Sequence, residues 1–114
     1  MAKDIEKYQE ILKKWLTNYA AKSKLANMPD IENRVIADCE NNSFQLLRIG
    51  WQGERHVFSV VFHFDIIDGK VWFQRNTTEH DVVDELVEMC IPEKDIVLGF
   101  IPPFARRLSN QATV

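Results

Sequence analysis

Residues 55–76, RHVFSVVFHFDIIDGKVWFQRN, decide the fold of this chain. They form two runs of β-branched and aromatic residues on either side of Asp68-Gly69. A two-residue type I′ turn needs positive φ at both central residues, and Asp followed by Gly adopts it at low cost. The stretch therefore predicts a β-hairpin whose first pair beyond the turn is Ile67 with Lys70. Continued residue by residue along the two strands, this register pairs His63 with Gln74.

The two faces of this hairpin differ in chemistry, because successive side chains of a strand point to opposite sides. One face is apolar and is predicted to form a sheet core; it carries Phe58, Val60, Phe62, Phe64, Ile66, Val71 and Phe73. The other face mixes polar and apolar groups; it carries Val57, Ser59, Val61, His63, Asp65, Trp72 and Gln74. We expect this second face to be covered by a smaller element or to meet a partner.

Two more strands are predicted before the hairpin, over residues 33–40 and 43–51. Asn41-Asn42 and Gln52-Gly53 offer tight turns between them, since Asn and Gly tolerate left-handed φ. Short connections favour neighbouring strands, so we expect a four-stranded antiparallel meander. The register across Gln52-Gly53 is open by one residue, and a slip of one residue would exchange the faces. In the favoured register, the earlier strands add to the mixed face Ala37, Phe44 and Leu46.

Helices are predicted at both ends of the meander. Over residues 3–21, apolar side chains recur at three- and four-residue steps, which is typical of an amphipathic helix. A second helix is predicted over residues 80–90, where early acidic residues suit a helix N-terminus and Pro92 follows the end. Residues 96–98 form a short extended segment, and residues 105–114 a tail. The expected fold class is therefore α+β, in one domain of residues 1–114.

The composition limits the classes of function. The 114 residues carry a net charge of −3. This charge argues against a protein that binds DNA through a generally positive surface, but it does not exclude a local contact with DNA. Cys39 and Cys90 lack CxxC spacing and lie in apolar segments, so we expect buried free thiols in a reducing cytoplasm. The first segment is amphipathic rather than continuously apolar, so neither a signal peptide nor a membrane span is expected.

His63 and Asp65 are predicted to lie on one face of a strand, where they could act as two metal ligands or as an acid–base pair. No third ligand is near in sequence, so a hydrogen bond to Gln74 or Trp72 on the strand surface is the favoured interpretation. A metal-dependent nuclease is disfavoured, because residues 45–47 read Gln-Leu-Leu where a Glu-x-Lys pattern would follow the strand of Asp38. We therefore assign no catalytic residue, no metal ligand and no cofactor.

Three stretches of the chain together resemble the XisI family, the fdxN element excision controlling factor proteins. The first is Leu46-Leu47-Arg48-Ile49-Gly50-Trp51. The second is His63-x-Asp65-Ile66-x-Asp68-Gly69-Lys70-Val71-Trp72-x-Gln74. The third is Asp95-Ile96-Val97-Leu98-Gly99-Phe100. The resemblance spans roughly residues 3–103. The chain departs from the family pattern at Ile101, where a histidine is common, and in residues 108–114.

The resemblance implies a non-enzymatic accessory factor for excision of a DNA element during heterocyst differentiation in filamentous cyanobacteria. A cytoplasmic location is expected from the amphipathic first segment. In this family the recombinase is a separate protein, and the accessory factor is typically paired with XisH. A direct DNA-binding accessory factor of a site-specific recombinase is the alternative, and a small hydrolase or nuclease using His63 and Asp65 is the third interpretation.

Association with another chain is expected, because two helices can cover only one face of a four-stranded sheet. We expect a homodimer or a hetero-oligomer with an XisH-like protein. The candidate interface residues are Val61, His63, Asp65, Trp72, Gln74, Phe100 and Pro102. Arg106 and Arg107, beside the tail prolines, are candidates for contact with phosphate or with an acidic partner.

Overall fold

The computed structural model describes residues 2–23 and 30–104. In these ranges the chain forms a sheet with helices packed on one of its faces. The helices are α1 (Ala2–Lys22) and α2 (Val82–Glu88), with a short 3-10 turn at Glu93–Asp95. The strands are β1 (Ile31–Asp38), β2 (Ser43–Gln52), β3 (Arg55–Ile67), β4 (Lys70–Asn76) and β5 (Ile96–Leu98).

The spatial order of the strands is β1-β2-β3-β4-β5. The first four strands are antiparallel neighbours, which confirms the predicted meander. The extended segment after α2 adds a fifth strand, β5, which pairs with β4 in parallel. The α+β class is therefore confirmed with one strand more than the four predicted.

The turn at Asp68-Gly69 has the predicted type I′ conformation, with φ of 53° at Asp68 and 77° at Gly69. Pairing follows the prediction from Ile67 with Lys70 as far as Phe64 with Phe73. A bulge then intervenes, so that His63 faces Arg75 instead of Gln74.

A second bulge, in the middle of β3, changes which side chains face the core. Leu46 pairs with Phe62, but the next residue, Leu47, pairs with Val60, which leaves Val61 as the extra residue. An extra residue reverses the alternation of faces on one side of the bulge. The predicted faces are therefore right for residues 62–73 and wrong before them: Phe58 is 63% exposed, whereas Val61 is 2% exposed.

The register of β2 also differs from the prediction. The loop between β2 and β3 is Gly53-Glu54, one residue later than the predicted Gln52-Gly53. This shift moves each pair by two residues along β3, which keeps the faces. The extra residue Val61 exchanges them, so Phe44 and Leu46 lie in the core, where both are fully buried, instead of on the mixed face.

The core lies between α1, α2 and the sheet. Trp15 of α1 packs edge-on against Phe62 and Phe64, with ring centroids 5.0 Å and 6.0 Å away. Among the described residues, the other fully buried large side chains are Phe44, Phe73, Leu12, Leu16, Leu46, Leu86, Ile91, Ile96, Val61 and Val71. The predicted apolar stripe of the first helix is therefore the surface that covers the sheet.

Helix α2 is shorter than predicted, because its C-terminus closes early. Cys90 has a φ of 82°, and the backbone N–H groups of Cys90 and Ile91 donate to the carbonyls of Val87 and Leu86. This is the pattern of a Schellman motif, which ends a helix with one left-handed residue. That residue points outwards, so Cys90 is exposed; Cys39, in the loop after β1, is exposed as well. The expectation of buried thiols was wrong.

No helix of the described residues is long and apolar enough to cross a membrane.

Candidate functional site

The face of the sheet that lies away from the helices carries a hydrogen-bonded polar cluster built from three strands. We refer to this face as the outer face. Its centre is the carboxylate of Asp65 on β3. This group accepts hydrogen bonds from Ser43 Oγ of β2 at 2.8 Å, from His63 Nε2 at 2.9 Å and from Gln74 Nε2 of β4 at 3.3 Å. The cluster ties the three central strands together on the side that the helices do not cover.

The imidazole of His63 has a partner at each ring nitrogen. Nε2 lies 2.9 Å from Asp65 Oδ1, and Nδ1 lies 2.8 Å from Gln45 Oε1. With Nε2–H donating to the carboxylate, Nδ1 is an acceptor, so its bond to Gln45 requires the amide NH2 group in place of Oε1 at this position. Neither nitrogen is then left over as a metal ligand, and among the described residues no group of three His, Cys, Asp or Glu side chains could hold a metal ion. These hydrogen bonds hold the side chains of His63 and Asp65 in fixed orientations at the protein surface, where they are 26% and 23% exposed.

Gly99, directly after β5, leaves space for this cluster. Its backbone N–H donates to the carbonyl of Phe73 at 2.8 Å, which brings it beside β4. A Cβ at this position would lie 2.3 Å from Gln74 Oε1 and 3.3 Å from Trp72 Cε3. The glycine therefore allows the side chain of Gln74 to lie against the end of β5 while it bonds to Asp65.

The other end of the outer face is aromatic. Trp51 and His56 have ring centroids 4.7 Å apart, and His56 and Phe58 have centroids 6.3 Å apart. Phe58 and His63 border an open cavity of about 470 Å³. Four of the exposed large hydrophobic side chains belong to this face: Ile36, Trp51, Phe58 and Ile67.

The structure brings together some of the predicted site residues and separates others. His63, Asp65, Trp72 and Gln74 share the outer face as predicted, and the hydrogen bond from Gln74 to Asp65 was expected. Val61 was placed wrongly, since it is buried in the core.

The remaining candidates lie outside the cluster. Phe100 packs on the core-facing ring of Phe73 with centroids 5.5 Å apart, and Pro102 is exposed nearby in the chain. Arg106 and Arg107 lie outside the described residues.

Sequence reasoning missed Ser43, Gln45, Trp51 and Phe58 as members of this face. The signal that could have found them is the register of β2 against β3, which pairs Ser43 with Asp65 and Gln45 with His63. That register depends on the loop at Gly53-Glu54, where Gly53 has a φ of 64°, and on the extra residue at Val61.

Asp38, considered above for a nuclease, has a structural role in the loop after β1. Its carboxylate accepts hydrogen bonds from the backbone N–H groups of Glu40 and Asn41 and from Asn41 Nδ2. The side-chain bond from Asn41, with the backbone bonds, lowers the pKa of Asp38. The carboxylate of Asp38 therefore stabilises the loop after β1 by accepting these hydrogen bonds.

A second polar group lies between the two helices. Trp15 Nε1 donates to Glu85 Oε1 at 2.8 Å, and His80 Nε2 lies 2.7 Å from Glu85 Oε2. These residues border a cavity of about 690 Å³ together with Tyr19 and Met89. One oxygen of Glu85 therefore ties α2 to α1, and the other ties α2 to the segment that precedes it.

Comparison with known proteins places the chain among relatives of known structure. A crystal structure of a XisI-like protein from Anabaena variabilis ATCC 29413 is 44% identical, with a TM-score of 0.83 over 93% of this chain and 95% of that one. The crystal structure of the fdxN element excision controlling factor XisI from the same organism is 29% identical, with a TM-score of 0.80 over 94% and 96% of the two chains. No curated protein matches the chain. The model of the XisI protein family matches residues 1–113, and the chain therefore belongs to the XisI family.

Proposed function

We propose that this protein is a non-enzymatic accessory factor that controls the excision of a DNA element through contact with an XisH-like protein. The support for excision control is membership of the XisI family and the similarity to a solved excision controlling factor. The support for action by protein contact is the chemistry of the outer face.

The observation that carries the proposal is the position of the two helices. Within the described residues both pack on one side of the sheet, and the opposite side keeps four large hydrophobic side chains exposed. Exposed large apolar side chains on a face that no helix covers are typical of a surface that meets a partner. The polar cluster around Asp65 suits an interface as well, because its groups bond to one another and can be buried without losing partners.

Direct DNA binding is the competing function. The net charge of −3 disfavours binding of DNA through a generally positive surface. An enzyme using His63 and Asp65 is disfavoured because Asp65 and Gln45 engage both nitrogens of the ring.

The proposal is tested by recovering the protein with its partners from host cells, with and without nuclease treatment of the lysate. We expect an XisH-like protein to remain bound after nuclease treatment. Loss of every partner after that treatment would instead support direct DNA binding and would overturn the proposal.

A matched pair of variants tests the face itself. Ile36 lies on the outer face and Val87 on α2, and both side chains are 40% exposed. We expect Ile36→Asp to weaken recovery of the partner at least tenfold while Val87→Asp leaves it unchanged, both with unaltered circular dichroism. Equal effects of the two substitutions on recovery of the partner would show that the outer face is not the contact surface. Trp72→Asp, in a variant shown to be folded, extends the test to the side of the cluster near β5.

A further inference from the structure

The first half of β3 has a strand on only one side. β3 pairs with β2 from Arg55 to Asp65, but its pairs with β4 cover only residues 62–67. Among the described residues no strand pairs with residues 55–60 on the β4 side. Such an open edge exposes backbone donors and acceptors that another strand can use.

The turn determines which backbone groups face this edge. Gln52 and Arg55 close the two-residue loop, so they form the first hydrogen-bonded pair between β2 and β3. Alternation then directs the backbone groups of Val57 and Ser59 towards β2, and those of His56 and Phe58 towards the open edge.

The edge is closed further along the strand. The carbonyl of Val60 accepts a hydrogen bond from Arg75 Nε at 3.0 Å. The carbonyl of Val61 accepts one from the backbone N–H of Thr77 at 3.1 Å. Among the described residues, no bond is made by the N–H and C=O groups of His56 and of Phe58, which lie two residues apart on this edge.

We infer that a second copy of this chain pairs with this edge in antiparallel orientation, with the twofold axis at Val57. His56 of each copy then stands opposite Phe58 of the other, and the two pairs exchange four backbone hydrogen bonds. Each of these four groups is then used once. The result is one sheet continuous through two chains, a self-complementary contact of the kind that twofold dimers use.

The neighbouring registers fit less well. An axis at Phe58 would pair His56 with Val60, whose carbonyl is already bound by Arg75. An axis at His56 would require Glu54, which lies in the turn, to act as a strand residue. The axis at Val57 sets Arg55 against Ser59 and opposes no like charges.

The side chains favour a second copy over an unrelated strand. His56 is exposed, Phe58 is 63% exposed and Trp51 is 53% exposed, all on the outer face. With the axis at Val57, the rings of the two copies meet across the edge in one aromatic cluster, which removes this apolar surface from water. This contact goes beyond the proposed function: it uses the edge of β3 with Trp51 and Phe58, and it leaves Ile36, Ile67 and the Asp65 cluster of the outer face accessible to the partner.

Disulfide trapping tests the register. In a Cys39→Ser, Cys90→Ser background, Val57→Cys places two thiols opposite each other at the axis, within the Cα separation of roughly 4.5–5.5 Å that a disulfide spans. We expect mild oxidation to convert Val57→Cys into a covalent dimer of twice 13.3 kDa. Ser59→Cys is the matched control and should stay monomeric on a denaturing gel, because its two copies would lie four residues apart along the strands. Equal crosslinking of both variants, or of neither, would overturn the inferred axis.

Light scattering on the unmodified chain supplies an independent measurement. We expect a dimer that Phe58→Pro converts to a monomer, because proline removes an N–H that faces the edge and leaves the ladder with β2 intact. Phe58→Lys serves the same purpose if the proline variant does not fold. A monomeric wild type at high micromolar concentration, or a folded Phe58→Lys variant that remains dimeric, would contradict the proposal.

Discussion

Gly50 is the residue where the start of β1 comes closest to β2. Its φ is +154°, and a Cβ there would lie 1.9 Å from the carbonyl oxygen of Asp30 and 2.7 Å from Ile31 Cα. The same carbonyl accepts a hydrogen bond from the N–H of Trp51 at 3.1 Å. Only a residue without a side chain lets β1 enter the sheet at this point.

We therefore expect Gly50→Ala to lower the free energy of unfolding by about 2–3 kcal/mol, because backbone atoms must move to admit the methyl group. Gly53→Ala is the control, since it adds the same methyl at a φ of 64° with nothing within 4 Å. It should cost about 1 kcal/mol from conformation alone. Urea denaturation of the two variants measures the difference, and equal losses would show that the close contact at Gly50 costs nothing.

Tyr8 connects α1 to the segment before β5. Its hydroxyl donates to Asp95 Oδ2 at 2.5 Å, and its side chain is 3% exposed. Burial, followed by the hydrogen bond and the negative charge of Asp95, raises the pKa of Tyr8 above its ordinary value. The folded state therefore holds the phenol proton more tightly than the unfolded state does.

This raised pKa makes stability depend on alkaline pH. Above about pH 10 the unfolded chain loses the phenol proton while the folded chain keeps it, so the free energy of unfolding falls as pH rises. Tyr8→Phe should cost roughly 1 kcal/mol at neutral pH, through the lost hydrogen bond, and should flatten the decline above pH 10. Urea midpoints measured between pH 7 and pH 11 check both effects; parallel curves for the two proteins would contradict the assignment to Tyr8.

At the level of elements, local chemistry was predictable and long-range register was not. The Asp68-Gly69 turn is determined by two residues, so the β3–β4 hairpin and the His63–Asp65 pair were correctly predicted. No residue near Val61 indicates a bulge in the sequence, since Val60, Val61 and Phe62 all suit a regular strand. It arises because the packing of Phe44, Leu46 and Phe62 under α1 fixes one half of β3, while the Gly53-Glu54 loop fixes the other.

β5 was predicted only as an extended segment, because its pairing also depends on contacts that are distant in sequence. It has three residues and pairs with a strand far back in the sequence, so nothing within Ile96–Leu98 identifies its partner. The polar cluster was half predicted: Asp65, His63 and Gln74 belong to the hairpin itself, whereas Ser43 and Gln45 depend on the register of β2.

The bulge leads to opposite expectations for two phenylalanines on one strand. Phe62 is fully buried, with the rings of Trp15 and Tyr19 at 5.0 Å and 4.9 Å, so Phe62→Ala should cost about 3–5 kcal/mol. Phe58, four residues earlier, is exposed, and Phe58→Ala should cost less than about 1 kcal/mol in dilute solution. Thermal or urea unfolding of the two variants decides the point. Similar losses at both positions would mean that β3 has no such bulge.

For the molecule as a whole, backbone amides should be protected best from hydrogen exchange where a strand has neighbours on both sides and a helix packed on it. We expect the slowest hydrogen–deuterium exchange in residues 62–66 and 71–73, since β3 and β4 are interior strands there and carry Phe62, Phe64 and Phe73 into the core. β1, at the edge of the sheet, should exchange faster. Protection confined to the helices would contradict the packing of the core.

The parallel pairing of β5 with β4 also sets the order in which the molecule is assembled. The first four strands are joined by short loops, so each hairpin can close while the rest of the chain is still unfolded. β5 has no such route, because residues 77–95, including α2, must first cross the helical side before Ile96 can meet Val71. The last strand is therefore added to a sheet that already exists. A nascent chain that stalls before residue 96 would carry a complete meander whose β4 has an unpaired side, and this intermediate is the one most exposed to capture by a chaperone.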